Sequence, residues 1–470
     1  MTGVVSLRIS SMTTMQAETI RRELTLYRRV LGGGSGPVCF AQEAGDWMHI
    51  PRGWYLKVGG QFPFLQQMLL KEGRADGQQL PPGTRSTMVL GQPPFPESQK
   101  GFVSDIVRGS QATGIGGRVG APTRYGKTGC AISAAIQLGG STLALTNSAM
   151  VADQWADTWN RWVVDGAGLS IPAGRIQRDR LDLPPQYPFV VGMMQTLLRR
   201  PLSEEARSAF RTIILDEADC APTDTAMAAL QRFRARYVLG LSATPDRKDG
   251  LGKAIEWICG PCVAEASRPL EGDVWFAHIP WRGCQVPTRS GDKMRGPRLN
   301  RPGGGTDIVE AEKALLRDEE RVDFIGREAQ RGGESGRHGL VLVGLRDHAI
   351  AIARAARRHG MDPGILQGGQ DRHERERAMQ HNPCIATLGA CAKGGNFEPA
   401  PNLCIIAAPR ADVRQAMGRA FQPQATMRTT ILDLVDGHPR LIKMANARLK
   451  GSYRIHPGFK ILSEVWPHGR

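Results

Sequence analysis

Ala121-Pro122-Thr123-Arg124-Tyr125-Gly126-Lys127-Thr128 is the stretch whose reading decides the fold. A small residue, four variable positions and then Gly-Lys-Thr is the pattern of a phosphate-binding loop. Gly126 lets the backbone curl so that successive N–H groups face phosphate oxygens. Lys127 reaches the β- and γ-phosphates, and the Thr128 hydroxyl is a ligand for Mg²⁺. Thr123, Arg124, Tyr125 and Gly129 complete the expected nucleotide cradle. The flanks agree with this reading. Val119-Gly120 reads as the end of a short strand, and the Ala/Ile/Leu-rich run 128–138 as a helix whose N-terminus points at the anion. Ala121 stands where such loops usually have a glycine.

Outward from the loop, strand and helix patterns alternate over 94–263, which predicts a parallel sheet covered on both faces. Residues 142–146 read as a buried strand and 150–162 as an amphipathic helix. Its Trp155, Trp159 and Trp162 share one face and read as core. Residues 189–192 form the next strand. The apolar run 211–215 then delivers Asp216-Glu217-Ala218-Asp219 at a strand's carboxyl end, where a nucleotide-binding sheet places its chemistry. Asp216 is expected to hold Mg²⁺, and Glu217 to orient and deprotonate the water that attacks the γ-phosphate. A last strand, 237–241, ends in Ser242-Ala243-Thr244-Pro245. The hydroxyls of Ser242 and Thr244 can bond the acidic motif and report its state to a neighbouring domain.

A chain of 470 residues has room for several domains. Charged residues at 23% and hydrophobic ones at 41% describe an ordinary globular protein, without an apolar run able to span a membrane or a secretory leader. The nine cysteines are scattered, which fits a reducing compartment and predicts a soluble, intracellular protein. Cys259 and Cys262 lack a second pair at zinc spacing and read as packing residues. A net charge of +16 fits a nucleic-acid partner, or simply solubility in an arginine-rich composition.

Residues 1–90 read as a separate small unit. Residues 4–9 alternate like a strand, 15–30 read as a helix, and Gly32-Gly33-Gly34-Ser35-Gly36 breaks it. Residues 47–50 read as a strand and 51–55 as a turn. Trp47, Trp54 and Tyr55 are expected to be core, with a base-stacking surface as the alternative.

The order of motifs resembles that of a superfamily 2 helicase: the phosphate loop, Thr146-Asn147-Ser148 with Asp153-Gln154-Trp155, Asp-Glu-Ala-Asp, and Ser-Ala-Thr. The run from Gly240 through Thr244-Pro245-Asp246-Arg247-Lys248-Asp249-Gly250 to Leu251 resembles the branch of the XPB helicase, the phage UvsW helicase and helicases of large DNA viruses. This resemblance implies two RecA-like parallel-sheet domains in tandem with a small N-terminal α+β domain. The boundaries it suggests are 1–90 for a DNA-engaging domain, 91–265 for the ATP-binding domain, 266–335 for a linker and connecting segment, and 336–470 for the second RecA-like domain. Lys393-Gly394-Gly395-Asn396-Phe397 takes the place of motif V. The run from Gln415 to Gln422 takes that of motif VI, with Gln415 in a coupling role and Arg419 as the arginine finger. Gln99 stands where the family's adenine-reading glutamine would be. Ala416 and Gln422 occupy motif VI positions where arginines are usual, and Arg410 and Arg414 are the nearby candidates to replace them.

The activity so implied is ATP hydrolysis, with Mg²⁺, coupled to movement on DNA that is single-stranded, forked or branched. Repair, recombination, replication or transcription proteins would be its partners, and no membrane. The pattern typical of RNA-directed DEAD-box members, Pro-Thr-Arg-Glu-Leu, is missing after the second strand. A catalytically weak DNA-binding scaffold, the motor part of a restriction or remodelling complex, and an RNA-directed helicase remain as alternatives.

Overall fold

The buried apolar runs at the centre of the two large sheets pair in parallel, so that their carboxyl ends gather on one edge of each sheet. The computed structural model describes residues 4–29, 35–62, 64–65, 76–88, 98–121, 125–242, 250–266, 274–281, 286–287, 294–295, 308–392, 397, 399–418, 429–450 and 459–461. The chain divides into two units, Met1–Arg268 and Pro269–Arg470. No helix among the described residues is long and apolar enough to cross a membrane.

In the first unit the central strands run Phe189–Met193, Thr142–Thr146, Thr212–Asp216, Tyr237–Ser242 and Gly116–Gly120 across the sheet. All four pairings between them are parallel. Thr142–Thr146 and Tyr237–Ser242 are buried at every position, as strands covered on both faces must be. One face packs against the helices Ser98–Thr113, Lys127–Leu138 and Ala149–Trp162, through Phe102, Ile106, Ile132, Trp155 and Trp159.

The other face is covered partly by the N-terminal residues, which therefore do not form the separate unit expected for 1–90. Leu7, Ile20, Phe40, Ile50 and Trp54 belong to one core with Phe210, Phe233 and Trp257. Phe40 meets Trp257 edge-on, with ring centroids 5.7 Å apart. Val4–Arg8, Trp47–Pro51 and Gln42–Ala44 make an antiparallel sheet. The helix expected over 15–30 is Thr14–Glu23, begun by a Thr13/Gln16 capping box. It stops because Thr25–Arg29 pairs with Ser35–Cys39 as a hairpin. The stretch expected to turn at 51–55 is the helix Arg52–Val58, started by Pro51 with its φ of −60°. Trp54 and Arg52 are 2% and 4% exposed and belong to the core, whereas Trp47 and Tyr55, also expected there, are partly exposed.

The second unit has a seven-stranded sheet, ordered Gly364–Leu366, Cys384–Thr387, Gly339–Val343, Leu403–Ile406, Thr430–Asp436, Val274–Trp281 and Phe459–Ile461. Every pairing in it is parallel. Its second-to-last strand, Val274–Trp281, comes from the segment expected to be a linker. Ile279 and Trp281 are buried in the core with Phe324 and Ile325. The segment expected as a connection also holds two helices, Ile308–Leu316 and Glu319–Glu334, divided at Asp318, whose carboxylate caps the second by accepting from the Arg321 N–H at 3.0 Å.

The sheet's last strands carry buried ion pairs. Arg448 is 1% exposed and pairs with Asp433 at 2.7 Å. Arg321 pairs with Asp436 at 2.7 Å and donates to the Ala407 carbonyl at 2.9 Å. Burial, reinforced by Arg321, pushes the neighbouring His348 down to about 3.

Two outcomes follow from this packing. A Cβ added at Gly53 would land on the Glu256 carbonyl oxygen, a backbone atom that cannot step aside. Gly53→Ala should therefore cost about 1–3 kcal/mol of stability, read as a lower urea midpoint. An unfolded His348 takes up a proton near 6.5, whereas the folded one stays neutral down to about 3. The stability it confers is present above pH 6.5 and is lost as pH falls towards 3, at up to about 1.4 kcal/mol per pH unit. His348→Gln should flatten that part of the urea-midpoint profile.

Candidate nucleotide site

The phosphate loop follows the buried Gly116–Gly120 strand, and its helix, Lys127–Leu138, begins at Gly126. Gly126 has φ +87°, a left-handed conformation that a side chain would strain. A Cβ there would also lie 2.8 Å from Gln99 Nε2. Gln99 donates from that nitrogen to the Tyr125 carbonyl at 2.6 Å. One turn along the same helix, Phe102 meets the buried Tyr125 ring edge-on at 5.1 Å. The Ser98–Thr113 helix thus braces the loop twice, by a hydrogen bond and by a ring. At the loop's start, the Ala121 N–H donates to the Ser242 carbonyl at 3.0 Å. That bond ties the loop to the strand carrying the expected coupling serine, itself 2% exposed.

Asp216 closes its strand next to the one ending at Ser242, with Leu241 as its partner in register. Glu217 then turns into φ 60°, ψ 62°, and its backbone N–H donates to Asp216 Oδ1 at 3.0 Å. A left-handed glutamate is strained by about 1–2 kcal/mol, and Glu217 is exposed at the end of its strand. Asp216 Oδ2 accepts from Trp155 Nε1 at 2.8 Å. The spacing of Trp155 reads as core. Its apolar spacing hid the polar role, because an indole that packs and an indole that also donates leave the same pattern in a sequence.

Within the first unit, Gln99, Tyr125, Gly126, Lys127, Thr128 and Gly129 are contiguous around the helix start, and Asp216, Glu217 and Ser242 lie at neighbouring strand ends. Thr123, Arg124, Thr244 and Arg419 lie outside the described residues, as do Gln422 and most of the motif V run. Gln415 lies in the short helix Arg414–Met417 of the second unit. There Ala416 is 2% exposed and packed with Val413 and Met417, so that an arginine at this position would bury a charge. Arg410, a candidate to replace it, is instead held by the buried Glu312 at 2.9 Å. Cys259 is buried as expected, whereas Cys262 is exposed.

The donors fit the expected ligand. A helix N-terminus with a glycine cap suits phosphate, and a threonine hydroxyl with a carboxylate suits Mg²⁺, a hard cation that prefers oxygen. Residues 94–247 match the family described as Type III restriction enzyme, res subunit. A protein of Acanthamoeba polyphaga mimivirus, provisionally named an ATP-dependent RNA helicase, is 24% identical over 71% of this chain. The chain spans 63% of that protein's length. A protein of frog virus 3, provisionally named a helicase, is 28% identical over 67% of this chain and 67% of its own. The structure of S. cerevisiae Dbp5 bound to Gle1 and IP6 aligns with a TM-score of 0.50 at 14% identity, over 78% of this chain and 95% of that one.

The brace at Gly126 is testable by titration with a fluorescent ADP analogue. Gly126→Ala should weaken binding by about tenfold, from backbone strain and the clash with Gln99. Adding Gln99→Ala should relieve the clash and recover only part of the loss. Parallel α/β sheets, motif order and these matches agree: both units are RecA-like, and the chain resembles the superfamily 2 helicases of the viral and phage branch.

Proposed function

We propose that this protein is an ATP-driven nucleic-acid motor that acts on DNA. The observation that carries this reading is the shared sheet edge: the strand before the glycine-capped helix at Lys127 and the strand ending in Asp216-Glu217 flank the one strand that ends at Ser242. Helix N–H groups and Lys127 would hold the phosphates of ATP. Thr128 and Asp216 would hold Mg²⁺, which neutralises phosphate charge when bound. Glu217, exposed at its turn, would orient the attacking water and take its proton. The hydrogen bond from Ala121 to the Ser242 carbonyl gives the loop a direct link to the next strand end, through which its state would be passed on.

The net charge of +16 supports a polyanionic track with weak sequence preference and strong salt dependence. DNA is favoured by the strand end Thr146-Asn147-Ser148, which stands where RNA-directed members have Pro-Thr-Arg-Glu-Leu. An RNA substrate is the second reading, and the name of the mimiviral relative favours it.

ATP turnover with single-stranded DNA, forked DNA or RNA separates the readings. DNA should stimulate turnover more than RNA does, and Lys127→Ala should abolish it. Stimulation by RNA alone would transfer the motor to RNA. Nucleic-acid binding with no turnover above Lys127→Ala would leave a scaffold.

A further inference from the structure

We propose that Trp155 is a positioning residue for the metal-binding carboxylate, fixing Asp216 in the rotamer that receives Mg²⁺. This rests on the nucleotide reading above and goes beyond it by giving a role to a residue on a different element.

Asp216 is half-exposed at the end of its strand, where an aspartate ordinarily samples several rotamers. Here each oxygen has its own donor: Oδ1 takes the Glu217 N–H at 3.0 Å, and Oδ2 takes the Trp155 indole at 2.8 Å. The first donor is local and would follow the carboxylate as the Asp216–Glu217 turn moved. The second comes from the helix Ala149–Trp162, 61 residues away in sequence, and it anchors the carboxylate to the rest of the unit.

The indole is itself immobilised. Trp155 is 1% exposed and stacks on Phe189 with centroids 6.3 Å apart. Phe189 in turn stacks on Trp159 at 4.5 Å with the planes 7° apart. Trp159 is tied down by its own indole N–H, which donates to the Ile171 carbonyl at 2.8 Å. A rigid aromatic stack therefore presents a single N–H to a carboxylate at the sheet edge.

An indole N–H can only donate, so it never competes with a cation or its waters for the role of acceptor. It occupies one lone pair of Oδ2 and leaves the remaining acceptor sites of the carboxylate for Mg²⁺ or its waters. Hydrogen bonds from a supporting residue to a metal-ligating group characteristically matter about tenfold or more in metal affinity or activity.

Trp155→Phe keeps a ring to stack on Phe189 while removing the donor and some buried ring volume. The test is binding of a fluorescent ADP analogue to the full chain, with EDTA and with saturating Mg²⁺. In the wild type Mg²⁺ should tighten binding. In Trp155→Phe most of that tightening should disappear, by about tenfold, while affinity in EDTA stays at the wild-type value. Full Mg²⁺ tightening in the variant would overturn the proposal. So would a parallel loss of affinity in EDTA, affinity in Mg²⁺ and thermal stability, since that is the signature of ordinary core damage. In an Asp216→Ala background Trp155→Phe should have no further effect, and an additive loss would count against the proposal. Absence of Mg²⁺-dependent binding in the wild type would instead sink the nucleotide reading itself.

A measurement on the native side chains covers the case in which the variant does not fold. In protein labelled with ¹⁵N at its nine tryptophans, one indole N–H resonance should move both on adding Mg²⁺ with ADP and on Asp216→Ala. If no indole resonance answers to both, the hydrogen bond does not serve the site.

Discussion

Parallel strand pairing is the constraint on which the first unit's chemistry depends. Register sets Asp216 beside Leu241 and Ser242 beside Gly120, so the ends of three strands arrive together without any loop having to reach for another. The loop hydrogen bond from Ala121 to Ser242 continues the same ladder one residue beyond the sheet. A slip of one residue in either pairing would turn each strand's side chains to the opposite face and carry the acidic pair away from the helix start. The burial of Thr142–Thr146 and Tyr237–Ser242 at every position makes such a slip costly.

The second unit is also built on parallel pairing, with a different strand order and a different interior. Arg321 with Asp436, Arg448 with Asp433 and Glu312 with Arg410 place charges inside it or along its margin. Buried pairs contribute little net stability, but removing one member strands the other charge at a cost of about 3–5 kcal/mol. They act here as registration marks. Arg321 joins the Glu319–Glu334 helix to the strand ending at Asp436, and Arg448 joins the Pro439–Arg448 helix to the same strand. A basic residue in this unit therefore cannot be counted towards a surface field merely because it is basic.

Much of this was legible in the sequence. The strands at 142–146, 189–192 and 237–241 declare themselves by continuous apolar runs, and the phosphate loop by its glycine, lysine and threonine. What failed did so for identifiable physical reasons. The hairpin strand Thr25–Arg29 reads as helix because Leu24 and Tyr27 continue the helical spacing begun at Ile20, which only its partner Ser35–Cys39 overrules. The strand Val274–Trp281 was hidden because it pairs with strands near the chain's end, Thr430–Asp436 and Phe459–Ile461. The polar duty of Trp155 was invisible because composition records that a tryptophan is present, not where its N–H is aimed.

The shared core beneath the first sheet also bears on how this protein can be divided. The family match begins at residue 94, as though a domain started there. Yet Phe40 and Trp54 lie in one cluster with Phe210, Phe233 and Trp257. A fragment cut at that boundary would carry the whole nucleotide loop and still present a wet apolar wound, a surface of the kind that drives aggregation. Similarity among relatives marks where their sequences agree. The hydrophobic seam marks where the polypeptide can be parted, and in this chain the two do not coincide.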